Sequence, residues 1–206
     1  MLPFSRVDPS FEQRRSWVAR LGAGVVAIGL IGMLVVSPLR GQRSSRNPLS
    51  PHETATSVVD GAKITITYGR PSMRGRKIFG SLVPYDRVWM PGADAATIFQ
   101  TSAPLQFGDF KLPAGSYSLY TLPSAKRWTL MINKMTWQFH TYYPEQDDLA
   151  KLPMTLERLA APVEQLTISA IPRPQLAERS GGFPAGGFLQ LEWEFTRVFA
   201  PFTVLR

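Results

Sequence analysis

The chain has no cysteine in 206 residues. That excludes a disulfide framework, a thiolate nucleophile, a Cys-ligated zinc site and an acylated lipoprotein cysteine. Histidine is almost as scarce: only His52 and His140 occur, with no HExxH-type spacing, so no transition-metal site is expected and none of the usual cofactors is implied. A carboxylate-built calcium site stays open. No Gly-x-Ser-x-Gly elbow marks a serine nucleophile. Helical periodicity is nearly absent beyond a hint of one turn at residues 145–149.

Basic residues are plentiful, but they are unevenly placed. Seven arginines against Asp8 and Glu12 lie in residues 1–50; of the 23 basic and 15 acidic residues in all, sixteen and thirteen are left for the rest. Four of the sixteen, Arg70, Arg74, Arg76 and Lys77, sit within eight positions. Outside that loop the chain is close to neutral, so it has no broad basic stripe for a phosphate backbone, and nucleic acid is not an expected partner.

Residues 21–36 form a run of sixteen apolar or glycine positions, preceded by Arg14, Arg15 and Arg20 and closed by Ser37 and Pro38. No small-residue pair marks a clean cleavage point. The expected organisation is a cytoplasmic tail over residues 1–20, a transmembrane signal-anchor helix over 21–39, a flexible linker over 40–56 and an extracytoplasmic domain over 57–206. The reading this gives is a single-pass membrane protein with its folded domain expected outside the cytoplasm. The alternatives are export after signal cleavage, or a twin-arginine signal at Arg14-Arg15. His52 falls in the linker and reads as a solvated side chain.

The remainder reads as strands. Residues 63–68 alternate apolar and polar with β-branched side chains. Residues 96–101 and 105–107 follow, and Gly108-Asp109 turns into 110–112. Residues 115–122 and 127–133 flank a short connection that makes a hairpin. Further strands are expected at 152–156, 165–171, 188–195 and 197–204, and Gly181 to Gly187 reads as a hairpin tip. Eight or nine short strands with 18 prolines predict an all-β domain, an antiparallel β-sandwich or jelly roll.

Several motifs occur in order: Tyr68-Gly69-Arg70-Pro71, Gly75-Arg76-Lys77-Ile78-Phe79-Gly80, Leu82-Val83-Pro84-Tyr85, Val88-Trp89, Pro113-Ala114-Gly115-Ser116-Tyr117-Ser118-Leu119 and Leu191-Glu192-Trp193-Glu194. Together they resemble the bacterial family called domain of unknown function 2911. The resemblance runs from about Thr56 to Phe202. It implies an exported or envelope-anchored β-rich protein and carries no activity. Where the family's pattern has arginine, an amide and glutamate, this chain has Met90, Asp94 and Ala95; where the pattern reads Gln-Trp-Gly-Thr-x-Tyr, it has Gln138-Phe139-His140-Thr141-Tyr142-Tyr143. Losing an arginine and a glutamate argues against an inherited catalytic role.

Arginine forks on a glycine-punctuated loop suit carboxylate, phosphate or sulfate. Arg70, Arg74, Arg76 and Lys77, with Tyr85 and Trp89, are therefore the candidate ligand-binding set, for an anionic glycan, another anionic envelope component or a partner protein. The competing reading is a scaffold loop whose arginines pair with Asp86, Glu192 or Glu194. The alternative function is a hydrolase of glycans or esters, with Asp94, His140 and Glu194 as acid–base candidates. Tryptophans 89, 128, 137 and 193 read mainly as core, Trp137 being the best placed for a ligand.

Overall fold

The computed structural model describes residues 50–173 and 186–206. The expected anchor and its alternatives, most of the expected linker, and Gly181 to Ala185 lie outside them. Among the described residues no helix is long and apolar enough to cross a membrane.

Among the described residues nine strands account for nearly all regular structure: β1 (His52–Val59), β2 (Ala62–Gly69), β3 (Ile98–Thr101), β4 (Leu105–Phe107), β5 (Phe110–Leu112), β6 (Gly115–Leu122), β7 (Trp128–Asn133), β8 (Asp148–Pro172) and β9 (Gly187–Val204), with one 3-10 turn at Glu145–Asp147. Every pairing is antiparallel, and the strands join in one sheet in the order β1-β2-β3-β6-β7-β8-β9-β4-β5. The domain is all-β, as expected. The sheet also curls, because β1 at its edge comes back beside β8.

Strand β2 shows why the pattern was readable. Ala62, Ile64, Ile66 and Tyr68 are buried, while Lys63, Thr65 and Thr67 between them are not. The Gly108 turn joins β4 to β5 at φ 55°, as its sequence predicts. The β6–β7 hairpin and the turn near Glu145 also stand where expected.

Two expectations need correction. The linker does not extend to Thr56, because β1 begins at His52 and pairs with β2 along its whole length. Strand β1 is an edge in which only Val59 is buried, so no apolar alternation announced it. The cue lay in Asp60-Gly61, both at positive φ (47° and 84°), which suits a tight hairpin turn. The second correction concerns length. The expected short strands at 152–156 and 165–171 are one 25-residue strand, and 188–195 and 197–204 are one of 18. Register shifts between Arg158 and Val163 and between Val163 and Thr167 bend β8 without ending it.

The main core gathers Ile64, Ile66, Phe99, Leu119, Ile132, Leu166, Leu191, Trp193 and Phe202 from both halves of the sheet. A smaller cluster, Met90, Ala96, Tyr120 and Met131, lies apart from it. Met90 is 2% exposed. The place where the family's pattern has arginine is thus an interior position here, and the thioether suits it.

Three buried tyrosines and the partly buried Tyr143 give the fold a pH signature. Burial raises the hydroxyl pKa of Tyr68, Tyr117, Tyr120 and Tyr143, and at Tyr143 the hydrogen bond to Asp148 and that carboxylate's charge add to the effect. In the folded state these groups hold their protons above the ordinary tyrosine value near 10, whereas the unfolded chain releases them there. Stability is therefore fully present below about pH 10 and falls as pH rises beyond it, by about 1.4 kcal/mol per pH unit for each tyrosine still protonated in the fold. Urea midpoints measured between pH 8 and 12 should drop above pH 10, and midpoints that stay level across that range would refute this.

Candidate functional site

The β2–β3 connection is long, and β8 and β9 shape it. Its first part lies along β8 as a short added rung. Met73 N donates to Glu164 O (2.8 Å), Leu166 N donates to Pro71 O (3.0 Å), and Ser72 bridges Gln165. Arg74 and Gly75 then turn with φ 51° and 71°, and Arg74 N donates to the Glu164 carboxylate at 2.9 Å. Beyond the turn Ile78 and Phe79 are buried, and their N–H groups face the Glu194 carboxylate at 3.4 and 3.3 Å. Tyr85 lies over Gly80, where an added Cβ would stand 2.7 Å from the ring. Trp89 exchanges two 2.8 Å backbone hydrogen bonds with Thr121, which fixes the loop's far end on β6.

These segments enclose an open cleft of about 380 Å³. Trp89 and Trp193 line it as a stacked pair, 6.1 Å between ring centroids and 18° apart in plane. Phe79 meets both edge-on, and the Trp193 indole N–H donates to Glu164 O at 3.2 Å. Arg74, Arg76 and His140 bring basic side chains to the same lining.

The four charges of the loop are thus divided. Arg70 does not line the cleft. Its guanidinium ties strands together, donating to Leu166 O (3.0 Å) and Thr167 Oγ1 (3.0 Å) and pairing with Glu53 of β1. Arg76 lines the cleft while its Nε and Nη2 donate to the carbonyls of Met73 (2.9 Å) and Ser72 (2.8 Å). A guanidinium has five N–H groups, so this leaves donors for a ligand. Lys77 and Tyr85 are exposed and stand outside the lining. The scaffold partners differ from those expected. Glu192 pairs with Arg197, Glu194 receives the Ile78 and Phe79 amides, and Arg70 takes Glu53, a residue on the strand that was read as linker.

Of the acid–base candidates, only His140 lines the cleft. Asp94 touches it through the backbone: its carbonyl oxygen accepts from the His140 N–H (3.1 Å) and lies 2.8 Å from Nδ1. Because a carbonyl only accepts, Nδ1 carries a proton and Nε2 is the free ring nitrogen of the neutral imidazole. The Asp94 carboxylate turns instead to His52, 3.7 Å away. Among the described residues no group of three or more His, Asp or Glu could hold a metal ion. The indole pair was missed as a site because Trp193 sits in the alternating pattern of β9, and nothing in the sequence joins it to Trp89. Trp137 is 83% exposed and lies outside the cleft lining.

A family model described as "Protein of unknown function (DUF2911)" matches residues 50–202. No curated protein and no solved structure matches the chain.

Proposed function

The chain belongs to the family of proteins of unknown function DUF2911, and from that premise, which brings no activity with it, we propose that the domain is a binding module for an anionic or carbohydrate ligand of the cell envelope. The observation that carries this reading is the cleft itself: an indole pair beside the guanidinium side chains of Arg74 and Arg76. The partly exposed Trp89, backed by the buried Trp193, can receive the apolar face of a ring, and guanidinium groups pair with carboxylate or sulfate. Residues 21–39, read as an anchor, support placing the domain outside the cytoplasm. Protease access to the domain in spheroplasts checks that placement, and protection of the domain would refute it. The curl that returns β1 to β8 supports a sandwich-like description of the sheet.

Affinity electrophoresis of the full chain in gels containing polygalacturonate, with dextran as the neutral control, tests the function. Retardation should appear on the acidic polymer alone and weaken as salt screens the charges. Arg74→Glu should reduce it by about tenfold, the scale of a lost charge-assisted contact turned repulsive. Unchanged retardation would refute the cleft as the site. His140, with Nε2 free, favours one second reading, a hydrolase of glycans or esters with this imidazole as base. Release of shortened products from the same polymer, lost in His140→Gln, would put that reading first.

A further inference from the structure

Between β7 and the 3-10 turn, residues 134–144 expose Trp137, Phe139 and Tyr142 at 83%, 57% and 53%. Three large rings turned to water on one segment mark an interaction surface. A buried polar frame holds them there. Gln138, between Trp137 and Phe139, is 6% exposed, and its Nε2 donates to Ser118 Oγ (2.9 Å) and Tyr120 Oη (2.7 Å). The Tyr120 hydroxyl donates to Tyr142 O at 2.7 Å. Asn133 Nδ2 donates to Pro144 O (2.8 Å) and to Asp148 Oδ1 (2.9 Å), and the Tyr143 hydroxyl donates to the same carboxylate. The inward side chains are fixed by these bonds and the rings between them point out. A surface ordered in advance loses little entropy when a ligand settles on it.

The shelf is continuous with the cleft. The Phe139 ring lies 4.4 Å, centroid to centroid, from the ring of His140, which lines the cleft. A ligand spanning cleft and shelf across the Phe139–His140 contact would meet guanidinium, indole, imidazole and phenyl groups. It must therefore offer both anionic groups and flat, weakly polar faces, over more than one unit. A lone anion would leave the shelf untouched. A lipid surface is the poorer fit, because an interfacial segment sets a strongly basic face beside its aromatic rings, whereas residues 134–144 hold one lysine and no arginine, and that Lys134 pairs with Asp147 at 3.2 Å.

We propose that Trp137, Phe139 and Tyr142 form a second subsite beside the cleft, so that the ligand is an acidic oligosaccharide several residues long. This rests on the reading of the cleft as an anion-binding site. The test titrates the full chain by calorimetry with oligogalacturonates and hyaluronan fragments of two, four and six or more residues, using the wild type, Trp137→Ala and Phe139→Ala. Both substituted residues are exposed, and circular dichroism confirms folding. In the wild type, affinity for at least one series should rise by about tenfold or more with length. Trp137→Ala should flatten that rise and leave disaccharide binding unchanged. Disaccharide binding that is sensitive to Arg74→Glu but shows no length dependence would overturn the shelf and spare the cleft. No binding at any length by the wild type would overturn both. Trp137-dependent sedimentation with anionic phosphatidylglycerol vesicles, without saccharide binding, would overturn the saccharide assignment in favour of a lipid surface.

Discussion

Trp193→Ala is expected to lower the unfolding free energy by about 3–5 kcal/mol, the range for removing a buried large aromatic. The side chain is 2% exposed, belongs to the main core, and is packed against Trp89 and Phe79. Truncation leaves a cavity where β9 faces the loop and deprives Glu164 O of the indole donor. Glu164 is also the residue whose backbone and carboxylate receive Met73 and Arg74, so the loosening should reach the cleft as well as the core. Urea unfolding of the full-length chain, followed by far-ultraviolet circular dichroism, measures the loss. Trp193→Phe should recover part of the packing but not the indole hydrogen bond. A loss below about 1.5 kcal/mol for the alanine variant would show that the surrounding core collapses into the space.

Gly69→Ala should be nearly as severe although it adds only a methyl group. The added Cβ would overlap the carbonyl oxygen of Ala93 and sit 3.1 Å from that residue's N and C. These are backbone atoms and cannot rotate away. Either β2 shifts at its end or the 91–95 segment moves, at a cost of about 1–3 kcal/mol or more for an overpacked site. The segment that would move includes Gly92, which lines the cleft, and Asp94, which receives His140. The expected result is a lowered urea midpoint together with weakened retardation on polygalacturonate. By contrast, Gly61→Ala, at a turn with open space around it but φ 84°, should lower stability by about 1 kcal/mol and leave retention alone. Equal effects from the two substitutions would mean that crowding at Ala93 is unimportant.

What could be read from the sequence was local. Alternation exposed β2, and glycine exposed the β4–β5 turn, since each depends on neighbours in the chain. The long strands β8 and β9 were read in pieces, with breaks at 157–164 and at 196; Pro162 falls in the first break, yet in the fold it lies within β8, and β9 runs through position 196 unbroken. The charged loop was legible as a feature but not as an arrangement. That Arg70 would tie β1 to β8, while Arg74 and Arg76 line a cleft, depends on Glu53, Glu164 and Leu166, which are remote from the loop in sequence. That His140 alone of the acid–base candidates lines the cleft has a similar reason. Residue type nominated Asp94 and Glu194, but the backbone of one and the amide partners of the other decide what they do. Both residues also sit at positive φ, 66° and 55°, a strain that composition does not announce.

The order of strands also fixes an order of events in time. The β4–β5 hairpin is local and can close early, yet among the described residues it joins the sheet through Leu105 and Gln106 against Val204 and Thr203, far along the chain from it. A nascent chain that has not yet released β9 has nowhere to dock that hairpin, and β8 lacks its main partner as well. Completion of the sheet therefore waits for β9, and closing such distant contacts makes folding slow. Until then the edges of β8 and of the β4–β5 hairpin stay open to other strands.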